Sequence, residues 1–315
     1  MSSHDHSAHD GHKHGSSQKS LLLALVFTTF FAIVEAVAGW LSNSLALIGD
    51  AGHMVTDSLA LGLGALAAWM SRKSPSRKHS YGLLRAETVG AMLNVLFMLA
   101  VIAFIVIESI ERLAEPSPVK GGMVMVVATI GLFVNIGAAW VLHRGEQNLN
   151  VKGAMLHVMG DLLGSVAALV AGTVILLTGW YPIDPILSLF ISLLILVSSL
   201  RLLRDVLHVV MEGVPQDIDL DDVGYRMAAV DGIRHVHDLH VWSLDSGTYS
   251  LSAHVVIENM DAWEEYRSRL VDLISTKYGI EHITLQPENN ANFNKRCADD
   301  ACGVIYSVEK KSVNP

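Results

Sequence analysis

"SNSLALIGDAGHMVTDSLALGLGALAAWM" occupies residues 42–70. After its polar opening it stays apolar for longer than the roughly 20 residues that cross a bilayer as a helix. Yet its first half carries Asp50, His53 and Asp57. Residues four apart on a helix share a face, so His53 and Asp57 present an imidazole and a carboxylate to one side. A carboxylate at mid-bilayer costs on the order of 2.5–3.5 kcal/mol, so such groups face the bundle interior, pair, and mark ion paths.

The whole chain agrees with a membrane setting. Of 315 residues, 51% are hydrophobic and 17% charged, with a mean hydropathy of +0.41, too apolar for a soluble domain of this length. Six apolar runs of spanning length fall at 20–41, 45–71, 85–110, 120–142, 152–178 and 183–204. The connections alternate in charge. "SNS" (42–44) and "GWYP" (179–182) carry no Lys or Arg, whereas "SRKSPSRKHSYGLLR" (71–85) and "HRGEQNLNVK" (143–152) are basic. The positive-inside rule therefore predicts both termini and both basic loops in the cytoplasm. The 111–120 connection, with Arg112 and Lys120 beside Glu111 and Glu115, is a mild exception. The bilayer is thus one partner. A net charge of −9, with no basic stripe interleaved with aromatics, speaks against nucleic acid as another.

The ends read differently. Residues 1–18 form a polar, His-rich arm with no cleavable signal, expected to be disordered and able to gather metal weakly through His and Asp. The transmembrane domain is expected over 19–205, a small cytoplasmic metal-binding and dimerisation domain over 206–290, and a tail over 291–315. In the small domain, Asp219 or Asp217 can cap a helix running to about 231, and Asp261 a second helix that ends before Gly279. Strand-like runs "HVHDLHVWSL" and "TYSLSAHVVI" flank the turn "DSG", and "EHITLQ" follows as a third strand. The order is helix, strand, strand, helix, strand: a small α+β layer. Cys297 and Cys302, in "CADDAC", can bind metal or form one local bridge, but make no disulfide framework.

The motif of the second span recurs in the fifth, where "HVMGD" (157–161) repeats the H-x-x-x-D spacing of "HMVTD" (53–57). Two such helices side by side offer two nitrogens and two oxygens, a set that suits tetrahedral Zn²⁺. The plainer reading is a His–Asp hydrogen bond within each helix that only holds the bundle together. The matched pair favours the ion path. Asp50 can orient His53 from behind or serve as an entry ligand, or simply sit at the helix start. Gly49, Gly52, Gly62, Gly64, Gly160 and Gly164 suit close helix packing. Glu35 can relay protons or pair with a neighbour, and Asn94, Glu108 and Asn135 can be interhelical contacts; the plain packing reading is preferred for each.

On "SNSLALIGDAGHMVTDSLAL", "YGLLRAETVGAMLN", "NLNVKGAMLHVMGDLLGSV", "DPILSL" and "HVHDLHVWSL", the chain resembles the cation diffusion facilitator family, in its bacterial zinc-efflux branch. The resemblance implies a bundle of six transmembrane helices with a ferredoxin-like (αββαβ) cytoplasmic domain, assembled as a homodimer in the bacterial inner membrane. It implies proton-coupled export of Zn²⁺ from the cytoplasm by alternating access, with His53, Asp57, His157 and Asp161 as the transport ligands and protons as the coupling ion. It further implies cytoplasmic metal positions at His237 and His254, with His282, Glu288, Cys297 and Cys302 as candidate partners, and His79 as a candidate in the loop after the second span. Transport of Cd²⁺, Co²⁺ or Ni²⁺ is the nearest alternative. An intramembrane zinc hydrolase is a further one, although H-E-x-x-H is missing. A membrane metal sensor is disfavoured because nothing after residue 290 reads as an output domain.

Overall fold

The computed structural model describes residues 29–71, 73–144, 149–245, 247–290, 293 and 304–307. Two compact units result: residues up to 66 with 90–203, and residues 67–89 with the chain from 204 on. The His-rich arm, Cys297 and Cys302 lie outside the described residues.

The first unit is helical, because a backbone in hydrocarbon must satisfy its own polar groups. The described part of the first predicted span is α1 (Thr29–Ser42). It is followed by α2 (Leu45–Ser71), α3 (Ala86–Ala114), α4 (Gly121–Arg144), α5 (Leu149–Thr178) and α6 (Ile183–Val210). The helices α2 to α6 are each long and apolar enough to cross a membrane. Glycine sets how closely some of them approach. A Cβ on Gly172 of α5 would stand 2.9 Å from the Met125 nitrogen of α4, and one on Gly52 of α2 would stand 2.7 Å from Val101 of α3. Larger residues at either position would force the helices apart. Gly62, Gly64 and Gly160 meet nothing within 4 Å, so the packing role expected of them is not theirs.

One end of the bundle is tied around the α1–α2 turn. Asn43 adopts φ 60°, a left-handed conformation that Asn tolerates, and its amide donates to Ser117 Oγ (3.0 Å) and the Pro118 carbonyl (3.1 Å). Arg112 donates to the Asn43 carbonyl at 2.6 Å and pairs with Glu108 at 2.9 Å. That pairing accounts for the charge exception in the 111–120 connection, and it keeps Glu108 on its own helix rather than between helices. Asn135 does bridge helices, donating to Ser165 Oγ at 3.2 Å. Asp184, at the start of α6 and fully buried, caps α2 from across the bundle. It accepts from Ser44 Oγ (2.6 Å) and from the Leu45 (2.7 Å) and Ala46 (3.4 Å) amides. Those amides are donors that a helix start leaves without intrahelical partners.

In the second unit, α7 (Leu220–Ala228) is capped by Asp219, which accepts from the Asp221 and Asp222 amides. Strands β1 (Ile233–Ser243) and β2 (Tyr249–Ile257) pair antiparallel around an Asp245-centred turn. The second helix, α8 (Trp263–Tyr278), follows a 3₁₀ turn capped by Asn259 rather than by Asp261, and Gly279 closes it at φ 66°. β3 (His282–Glu288) then lies parallel to β2, giving the order β1-β2-β3. Val236, Leu251, Val255, Leu270 and Ile274 share one core with α7 and α8. The tail adds to this core: Tyr306 pairs with Val236 through two backbone hydrogen bonds and is 2% exposed. Its ring fills the space over Gly224, where a Cβ would come within 2.4 Å of it.

Asp184→Ala leaves the Ser44 hydroxyl and the Leu45 amide buried without their acceptor. It is expected to cost about 1–3 kcal/mol and to lower the unfolding midpoint of the purified protein by several degrees, whereas Asp184→Asn keeps part of the cap and loses less. Equal midpoints for Asp184→Ala and the parent would contradict the capping role.

Candidate metal centre

The spacing of "HMVTD" brings His53 and Asp57 onto one face of α2, and α5 brings Asp161 to meet them. His53 Nε2 stands 3.6 Å from Asp57 Oδ2 and 3.6 Å from Asp161 Oδ1. All three residues offer ligand atoms within 4.8 Å of one another. Two ligands about 2.0 Å from a shared zinc ion stand roughly 3.3 Å apart in a tetrahedron, so these separations fit such an ion closely. The side chains of His53 and Asp161 are 18% and 10% exposed, which limits competition from water. His157 lies on α5 four residues before Asp161, and its side chain is outside the described residues.

Asp50 neither starts α2 nor bonds His53. It sits in the second turn of α2, beyond the helix start, where Asp184 serves as the cap. No hydrogen bond joins it to His53 among the described residues. Its carboxylate instead rests on α5 at Gly164, where a Cβ would be 2.7 Å from Asp50 Oδ1. Asp50 and His53 also line a cavity of about 570 Å³ bounded by α5 and α6, with Leu163, Val170, Phe190 and Leu194 among its walls.

A second group lies in the small domain. His237 and His254 are directly opposite on β1 and β2. Glu288, at the end of β3, links them: Oε2 is 3.2 Å from His237 Nε2, and Oε1 is 2.8 Å from His254 Nδ1. These three also fall within 4.8 Å of one another. Since neighbouring strand residues point to opposite faces, this group occupies the sheet face away from the α7–α8 core. Phe293 of the tail packs on the His237 ring at 5.2 Å, and His237 is 1% exposed. A bulge between His237 and His240, with Asp238 at φ 50°, brings Asp238 Oδ2 to 3.6 Å from His254 Nε2. Asp238 was not singled out by sequence, because nothing in "HVHDLHV" marks the bulge. His282 lies at the other end of β3, opposite Ser250, and His79 is exposed in the 73–85 loop, so neither joins this group.

Residues 21–211 match the family model for the cation efflux transmembrane domain, and residues 215–290 that for the cation efflux protein cytoplasmic domain. The chain belongs to the cation efflux family, the cation diffusion facilitators. It is 40% identical over 292 residues to the zinc transporter ZitB of Yersinia pestis, covering 92% of each chain. It is 36% identical over 289 residues to the "cadmium, cobalt and zinc/H(+)-K(+) antiporter" of Bacillus subtilis (strain 168), covering 90% of this chain and 93% of that one. The solved metal-bound C-terminal domain of the CzcD transporter from Cupriavidus metallidurans is 36% identical, with a TM-score of 0.22, covering 22% of this chain and 99% of that one. The cation efflux protein described here is accordingly a multi-pass membrane transporter and not an enzyme. The hydrolase reading falls on that ground.

Burial holds the His237 imidazole below its ordinary pKa; Glu288 opposes this, and the His254 charge adds to it. The unfolded chain takes up this proton near pH 6.5, the folded chain only at lower pH, so acidification through about 6.5 favours unfolding. In chelator, the unfolding midpoint of the second unit is expected to fall between about pH 7.5 and 5.5, and His237→Gln to flatten that slope. An unchanged slope in the variant would assign the pH dependence elsewhere.

Proposed function

We propose that this protein exports Zn²⁺ from the cytoplasm in exchange for protons, through a site made by His53 and Asp57 of α2 with His157 and Asp161 of α5. The observation that carries the reading is the 3.6 Å approach of His53 to a carboxylate of its own helix and to one from α5, inside an apolar bundle. Imidazole nitrogen with carboxylate oxygen suits zinc better than manganese or magnesium. Binding requires neutral imidazoles and ionised carboxylates, so zinc displaces protons on arrival. In the opposite direction, protons from outside compete for the same groups, and His titrates in the useful range. Rocking of the helices alternates access to the site. The basic loops and both termini are read as cytoplasmic, and the membrane as the bacterial inner membrane. The name of the Bacillus relative favours a broader cargo, with Cd²⁺ and Co²⁺ carried by the same mechanism.

The small domain is read as the dimerisation unit of a homodimer, in keeping with its family match. His237, His254 and Glu288 are read as its resident metal ligands. The fit rests on the carboxylate already spanning both imidazoles, and on a buried imidazole kept neutral and hence ready to coordinate. The division into an arm at 1–18, a membrane domain at 19–205, a cytoplasmic domain at 206–290 and a tail at 291–315 is part of this proposal.

His53→Ala and Asp161→Ala are each expected to lower zinc uptake by everted vesicles by about a hundredfold or more at unchanged protein level. His237→Ala leaves the intramembrane ligands intact and is expected to retain transport. Normal uptake by either of the first two variants would contradict the site.

A further inference from the structure

The bundle holds a buried acid that this metal site does not use. Glu35 of α1 is 1% exposed, and its Oε2 has no hydrogen-bond partner among the described residues. Its Oε1 rests on α4 at Gly131, where a Cβ would stand 3.0 Å from that oxygen. Asp50, 4% exposed, rests on α5 at Gly164 in the same way. Two helices thus lack a side chain at the point where a carboxyl group lies against them. Glu35 is not part of the close group formed by His53, Asp57 and Asp161. Its helix packs on α2 beside that group: Phe31 and Ala32, in the turn before Glu35, share a buried cluster with Met54, the neighbour of His53. The charges of Asp50 on α2 and Asp161 on α5 both act on it, and α4 presents Gly131 to its carboxyl.

An ionised carboxylate in that place is unfavourable, since it lacks hydrogen bonds and faces like charges across a poorly solvated gap. A proton on Glu35 removes the penalty. Zn²⁺ on Asp57 and Asp161 lessens it, because the ion's two positive charges cancel those two carboxylates and remove the repulsion of Glu35 by Asp161. Zinc occupancy and protonation of Glu35 therefore oppose each other without any contact between them, and linkage makes the effect reciprocal.

We propose that Glu35 carries one of the exchanged protons: it holds a proton while the metal site is free of zinc and releases it when zinc binds, without ligating the metal. This rests on the proton-coupled reading above. Only the Glu35 O–H bond changes; the proton leaves to water as zinc arrives and returns when zinc departs.

The test counts protons. Zinc is titrated calorimetrically into the full-length protein in lipid nanodiscs, in buffers of different ionisation enthalpy. A His237→Ala, His254→Ala background silences the cytoplasmic group. Glu35→Gln is expected to release about one proton fewer per zinc, with affinity changed by less than about tenfold. Glu35→Asp, which keeps an ionisable group, is expected to restore the count, which a packing role alone does not explain. In proteoliposomes, Glu35→Gln is expected to weaken the response of zinc flux to a pH gradient while zinc–zinc exchange persists. An unchanged proton count overturns the proposal, and so does loss of zinc binding. Should Glu35→Gln not fold, Gly131→Ala moves the same carboxyl and is expected to shift the pH midpoint of zinc flux; an unmoved midpoint overturns the proposal. If the parent flux ignores the pH gradient, the antiport reading itself fails. If the parent responds and Glu35→Gln releases the full count, only this proposal fails.

Discussion

The approach of His53 on α2 to Asp161 on α5, at 3.6 Å, is the contact on which the arrangement of the bundle turns. Charge inside hydrocarbon demands compensation, and neither helix can supply all of it alone. Bringing the two helices together converts groups that are costly singly into a set with room for a cation. The interval is close to the spacing of two ligands on one zinc ion, so the ion's charge can offset what burial costs the carboxylates. A carrier needs that balance to be conditional. In the proposed antiport the site takes up protons as the metal leaves, and that exchange couples metal movement to a proton gradient.

Other features serve to place this contact. The Asp184 cap fixes the start of α2, two turns before His53, and ties it to α6. Asn43, Ser117 and Arg112 hold the same turn against the α3–α4 connection. Glycines on facing helices set depth: Gly172 brings α5 to the backbone of α4, and Gly164 admits Asp50 against α5. In the small domain the same need is met on a sheet. Glu288 joins two imidazoles that strand pairing has already set opposite each other, and Phe293 shields them.

Local patterns carried much of this in the sequence. Apolar runs of spanning length mark helices, since a spanning helix is set by bilayer thickness. H-x-x-x-D marks two ligands on one face, because four residues make about one turn. The αββαβ order followed from alternation and turn residues, and Gly279 showed where α8 stops. Contacts between distant elements left no such mark. Asp184 reads as an ordinary helix-start residue, yet its partner Ser44 is 140 positions away. Asp50 looks like a companion of His53 until the Gly164 notch is seen. Glu35 reads as a pairing residue ahead of a proton relay, and its burial without a hydrogen bond reverses that order. The β1 bulge hides Asp238 for a related reason: a single positive φ shifts the strand's alternation without any glycine to announce it.

X-ray absorption at the zinc edge tests the intramembrane site most directly. The full-length protein is loaded with one zinc equivalent on a His237→Ala, His254→Ala background. The expected spectrum is that of a four-coordinate ion with only nitrogen and oxygen neighbours at about 2.0 Å, two of them imidazoles, with loss of one imidazole in His157→Ala. Sulfur among the zinc neighbours, a six-coordinate ion, or a spectrum unmoved by His157→Ala would contradict the four-ligand site.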